Sequence, residues 1–244
     1  MTRRIADEPA YVLHARPYRE TSAIVDLLTL RFGRISAVAR GMRGGRRGAS
    51  PPRPFGRLAV ACSGRAQLLT LNGFDSQTHR WLTGDALYAG LYLNELLLRL
   101  LRDDDAHPGL FDGYERALDA LAADAEPALR RFERLLLKEC GYEITFACDA
   151  DSGATIEADA CYRFVPDVGF QTVDETADQR HVFAGATLHA IDRDDYADAD
   201  VRRAAKQIMR RALAPHLGDR PIGSRALYRN EAYRHESAPD GGLA

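Results

Sequence analysis

The apolar residues of this chain change period once, at Trp81, and that change divides the sequence into two unlike parts. Ahead of it lie "YVLHARPY" (11–18), "TSAIVDLLTL" (21–30), "RISAVAR" (34–40), "RLAVACS" (57–63) and "AQLLTLNGF" (66–74). These segments are short and rich in branched or aromatic residues, with Gly33 and Gly64 at turns and no helical run between them. Five such strands suit a small closed or partly closed barrel. Beyond Trp81, "GDALYAGLYLNELLLRLL" (84–101) is apolar over most of a helical surface, which predicts a helix buried in a bundle. A second helix is predicted to start near Pro108. A third, "EPALRRFERLLLKECGYE" (126–143), has Pro127 in its first turn and Gly141 as its stop. Residues 144–185 lose the helical period, and "ACYRFVPDVGFQTV" reads as a hairpin turning at Pro166 to Gly169. "DADVRRAAKQIMRRALAPHLG" (198–218) is again helical, capped by Asp198 or Asp200 and ended near Pro215 and Gly218. The expected architecture is α+β: a five-stranded β-barrel over 1–80, then a mainly α-helical domain over 81–235 with a small β-hairpin insertion, and a disordered tail over 236–244.

Charge follows the same division. The chain carries a net charge of −2, yet residues 1–80 hold 14 Arg against 5 acids, +9, and the remainder is −11. A basic front on a near-neutral chain points to nucleic acid as its partner. The positive charge peaks in "ARGMRGGRRGASPPRPF" (39–55), with five arginines, four glycines, three prolines and no acid. Such a segment cannot fold alone. It can lie along a phosphate backbone, because glycine permits close approach and arginine forks onto phosphate oxygens. The candidate DNA contacts are Arg34, Arg40, Arg43, Arg46, Arg47 and Arg53; the alternative is a solvated loop tip. Tyr11, Tyr18 and Phe32 are candidates for base stacking, but barrel cores also consume aromatics and the core is the better reading for each. The glycine spacing is neither G-x-G-x-x-G nor a Walker A loop, which argues against an ATPase. No apolar run reaches the ~18 residues of a membrane span, so a cytoplasmic, nucleoid-associated protein is expected. The cysteines at 62, 140, 148 and 161 have no regular spacing and read as free thiols.

The order of the pieces carries more. "YVLHARPYRETSAIVDLLTLRFGRISAVARG", the basic loop, "LYAGLYLNELLLRLL", "ALRRFERLLLKECGY" and "RRAAKQIMRRALAPHLGDRPIGSRALYR" together resemble the RecO family of bacterial recombinational repair proteins, over roughly residues 10–230. The resemblance implies an N-terminal OB-fold and a protein that binds single- and double-stranded DNA and anneals complementary strands. It also implies partners: the acidic C-terminal tail of single-stranded DNA-binding protein (SSB), and RecR, with which such proteins load RecA. It places tail docking in the helical domain. There Arg130, Arg131, Arg134 and Lys138 form a second basic cluster, with Arg130, Arg134 and Lys138 on one helical face. The alternative for Arg130 is an ion pair with Glu126 or Glu133. Some relatives carry zinc on two Cys-x-x-Cys pairs; here only Cys148 and Cys161 fall in that segment, so no metal and no other cofactor is expected. The runs "DDD" (103–105) and "DRDDYADAD" (192–200) read as a solvated loop and a helix-capping region rather than a nuclease site. The expectation is a non-enzymatic DNA repair mediator. The alternatives are a general OB-fold nucleic-acid-binding protein without SSB contact, or an enzyme acting on nucleotides.

Overall fold

The computed structural model describes residues 3–41, 52–65, 67–173, 180–224 and 226–227. The chain forms two compact units: Met1–Phe111 with Arg220–Ala244, and Asp112–Asp219. The division falls within a helix rather than where strands give way to helices. The expected tail over 236–244 lies outside the described residues.

The first unit contains β1 (Arg3–Tyr18), β2 (Ser22–Thr29), β3 (Gly33–Ala39), β4 (Arg57–Gly64) and β5 (Leu68–Thr78). They pair in the order β1-β2-β3-β5-β4, and β4 returns to β1, giving a five-stranded barrel of the OB kind. Only the β3–β5 pairing is parallel. β1 is 16 residues long and serves two neighbours, β4 through its first half and β2 through its second, with a register shift between Ile5 and Glu8. Its first half, "RRIADEPA", has no strand pattern of its own; pairing with β4 overrides its weak propensity. Val12, Val25, Leu27, Ile35, Val60 and Leu69 fill the interior. Cys62 lies among them, and burial pushes its thiol up to about 11, against a smaller downward pull from Arg3. At that value it is an inert core residue.

α1 (Gly84–Leu100) is buried as its apolar surface predicts, but by the barrel rather than by a bundle. Asn94 donates its side-chain amide to the Leu13 carbonyl at 2.8 Å, and Phe111 packs on the Tyr11 ring at 5.0 Å. Gly90 lets Phe55 and Leu82 close on the helix: a Cβ there would stand 2.8 and 2.7 Å from their side chains. At the next turn, the Glu95 carboxylate accepts from the amides of Gly223 and Ser224 and from the Ser224 hydroxyl, each at 2.9 Å. Arg99 donates to the Pro221 carbonyl at 2.7 Å. Burial alone would raise Glu95, but the Ser224 and Gly223 hydrogen bonds, with Arg99 beside them, outweigh it and hold the carboxyl below the usual range.

The second unit takes up the rest of α2 (Pro108–Ala120), then α3 (Ala125–Glu139), β6 (Cys161–Val165), β7 (Gly169–Thr172), β8 (Val182–Ala184), α4 (Gly185–Asp192) and α5 (Ala199–Leu217). α3 packs on α5, which also receives α4. Gly141, at φ +83°, turns the chain out of α3. Asp198 caps α5 by accepting from the amides of Asp200 and Val201, and Pro215 lies inside its last turn rather than ending it. The expected hairpin is β6–β7, and β8 adds a third strand on the other side of β6. Asp149 ties this subdomain together. Its carboxylate accepts from the amides of Asp151 (3.0 Å), Ser152 (2.8 Å) and Thr172 (2.6 Å), and from the hydroxyls of Ser152 and Thr172. The Ser152 and then the Thr172 hydrogen bonds hold its carboxyl far below the usual range. Among the described residues no cluster of three or more metal-ligating side chains occurs.

Candidate nucleic-acid interface

The register of the barrel decides which loops share an end. Pro17 lies opposite Ala23, Ala23 opposite Ala39, Ala39 beside Leu71 on a parallel strand, and Arg57 opposite Thr78. The β1–β2 turn, the end of β3, the start of β4 and the exit of β5 therefore gather at one end. The opposite end collects the N-terminus, the β2–β3 turn and the β4–β5 turn.

At that opposite end, three arginines are tied to acid. Arg34 meets Asp103 at 2.9 Å and donates to the Leu98 carbonyl at 3.1 Å. Arg3 pairs with Asp104, and Arg31 reaches the fully buried Glu8 at 2.6 Å. The "DDD" run is exposed, as expected of a solvated loop, and it is also docked on β3: the Asp104 amide donates to the Arg34 carbonyl at 3.0 Å. Gly33 makes this docking possible. It sits at φ +65°, and a Cβ there would lie 1.8 Å from the Asp105 carbonyl oxygen.

At the first end four arginines are not tied to acid. Arg16, Arg19, Arg40 and Arg53 are exposed, and among the described residues none of them forms an ion pair with an acid. Of the six sequence candidates, Arg40 and Arg53 lie here, Arg34 belongs to the opposite end with its guanidinium already engaged, and Arg43, Arg46 and Arg47 lie outside the described residues. The basic segment is anchored at its far side by Phe55, buried against Gly90, whose amide donates to the Val12 carbonyl at 3.3 Å.

The aromatic candidates divide similarly. Tyr11 is fully buried, as a core residue. Tyr18 is half-buried beneath Arg19 at 5.2 Å, and Phe32 is half-buried beneath Arg3 at the opposite end. The aromatic that sequence reasoning missed is Trp81, 74% exposed beside Arg53. Its signal was present: a lone tryptophan just past the last strand, used only as a boundary marker.

The second unit holds a separate basic cleft of about 200 Å³. Arg131, Arg134, Leu135, Lys138, Glu143, Ile144 and Asp194 line it. Arg134 is held by Asp194 at 3.0 Å, Asp192 at 3.3 Å and the Ile191 carbonyl at 2.6 Å, and it lies 5.0 Å over the Phe146 ring. Arg131 donates to the Asp194 carbonyl at 3.3 Å. A hydrogen bond from Lys138 to Glu143 raises the lysine above its ordinary range. Burial, then the Asp194 charge, raises Tyr196. Arg130 is not part of this cleft: it is buried on α3 and paired with Glu133 at 2.9 Å. Helical spacing put Arg130 on one face with Arg134, but the core takes the first and the cleft the second.

The comparisons with known proteins cover both units. The family described as "Recombination protein O N terminal" matches residues 1–76, and "Recombination protein O C terminal" matches residues 82–226. Among similar proteins named DNA repair protein RecO, that of Cellvibrio japonicus is 46% identical over 92% of this chain and 97% of its own. That of Stutzerimonas stutzeri is 48% identical over 91% of this chain and 93% of its own. That of Pseudomonas aeruginosa PAO1 is 43% identical over 96% of this chain and 98% of its own. No helix among the described residues is long and apolar enough to cross a membrane.

Proposed function

Because the chain belongs to the RecO family of DNA repair proteins, we propose that it is a recombination mediator that works by binding rather than by catalysis. In this reading it holds single and duplex DNA on the barrel, anneals complementary strands, and with RecR helps to load RecA onto SSB-coated DNA. The observation that carries the reading is the set of exposed arginines without acid partners at one end of the barrel. Left unneutralised, they face solvent at the end from which the basic loop departs. There Arg40, Arg43, Arg46, Arg47 and Arg53 would neutralise phosphates, and Arg34 would serve the barrel instead.

The SSB tail is assigned to the cleft of the second unit. Arg131, Arg134 and Lys138 supply cationic groups around Leu135 and Ile144, a chemistry that suits a short acidic peptide ending in an aromatic residue. Asp194 occupies those arginines in the free protein, so an acidic tail would have to displace it.

The test combines two assays. Annealing of complementary oligonucleotides should collapse when the five loop arginines are changed to Ala. A labelled SSB-tail peptide should bind the native protein, bind Asp194→Ala several-fold more tightly, and be lost on Arg131→Ala with Arg134→Ala. Annealing that persists in the first variant would overturn the DNA assignment. A peptide indifferent to all these changes would leave a general nucleic-acid-binding protein without SSB contact.

A further inference from the structure

Trp81 is the only tryptophan of the chain, and it stands 74% exposed. Burial of an indole is worth a great deal, so one left in water needs a reason. Packing does not supply it, because the next residue, Leu82, fills the space over Gly90 on α1. The surroundings are those of a ring-binding site. His79 meets the indole edge-on at a centroid distance of 4.3 Å, and the Arg53 guanidinium lies 5.7 Å from the ring centroid. Between them opens a cleft of about 440 Å³, floored by Leu58, Phe74 and Gly56.

We infer that Trp81, with Arg53 and His79, forms a stacking site for one unpaired nucleobase, at the end of the barrel where phosphates are held. The inference rests on the DNA-binding reading above and adds to it a specific preference. An indole and a guanidinium offer flat faces to a base of any identity, so the site is indifferent to sequence. It also discriminates against duplex DNA, whose bases already spend their faces on each other. A protein partner would also welcome an exposed tryptophan. The Arg53 guanidinium on the flank of the cleft, at the end where Arg16, Arg19 and Arg40 are also exposed, favours a base.

Because Trp81 is the sole tryptophan, its fluorescence reports on this site alone. Native protein would be titrated with oligothymidylate, with an abasic strand of equal phosphate count, and with a duplex, while anisotropy of the labelled DNA records binding independently. Quenching by oligothymidylate, with little from the abasic strand or duplex at equal occupancy, is expected. Trp81→Ala should weaken oligothymidylate binding by roughly 5- to 100-fold, leave duplex binding unchanged, and be largely rescued by Trp81→Phe. Binding by anisotropy without quenching, or equal quenching by all three ligands, would overturn the stacking site and leave the DNA reading standing. No anisotropy change with any DNA would overturn both.

Discussion

Arginine appears at both ends of the barrel, in different company. At one end Arg3, Arg31 and Arg34 are closed off by Asp104, Glu8 and Asp103. At the other, Arg16, Arg19, Arg40 and Arg53 carry no acid partner among the described residues. One of the three acids, Glu8, belongs to β1 itself; the other two, Asp103 and Asp104, are delivered to the same end by the exit of α1. Helix α3 shows a milder contrast between neighbours: Arg130 is sealed in the core against Glu133, while Arg131 is half-exposed beside the cleft, with Asp194 at 3.9 Å. Net charge by segment therefore overstates what a basic domain can offer to a polyanion. The charge that counts is the part no neighbouring acid has neutralised.

The sharpest way to break this comparison is by salt dependence. Changing Arg40, Arg43, Arg46, Arg47 and Arg53 to Ala should lower the log–log salt slope of single-strand binding by roughly 3.5, at about 0.7 per phosphate contact. Arg3→Ala with Arg34→Ala should leave the slope alone. Equal losses from both sets would abolish the distinction between the ends. Within α3, Arg130→Ala should cost about 3–5 kcal/mol of stability by taking the guanidinium away from the buried Glu133 carboxylate. Arg131→Ala should cost under about 1 kcal/mol; denaturant unfolding of the two variants tests this. Gly33→Ala should destabilise by about 2–3 kcal/mol through its positive φ and the approach of Asp105, with no change in DNA salt slope. The smallest effect concerns acid. Glu95 has a lowered folded pKa, so its contribution is complete above the ordinary glutamate value near 4.3 and is lost as the pH falls through the folded value. The melting temperature of native protein should therefore approach that of Glu95→Gln as the pH drops from 7 toward 3.

Five strands, the four longer helices and the hairpin turn were legible because each carries its own periodicity, turn or cap. The first half of β1 was not, since "RRIADEPA" becomes a strand only through β4. Nor were β8 and α4, three and eight residues long, too short to show a period. For the site, composition located the basic block but could not tell Arg34 from Arg40, because the partner that separates them lies about seventy residues further on. Trp81 was visible as a residue and invisible as a surface. Two short segments quoted for their family order, "NEL" and "GSR", turn out to touch each other through Glu95 and Ser224.

That last contact has a consequence for how the protein is made. Glu95 and Ser224 are 129 positions apart, and the whole second unit is translated between them. At a synthesis rate of ~5–20 residues per second, the ribosome leaves the Glu95 carboxylate waiting on the order of 10 seconds for its partner. The barrel and α1 emerge early, yet the unit they belong to is finished only by residues made after the whole second unit. A nascent chain halted before residue 223 would carry both α1 and the complete second unit, but with the clamp still open.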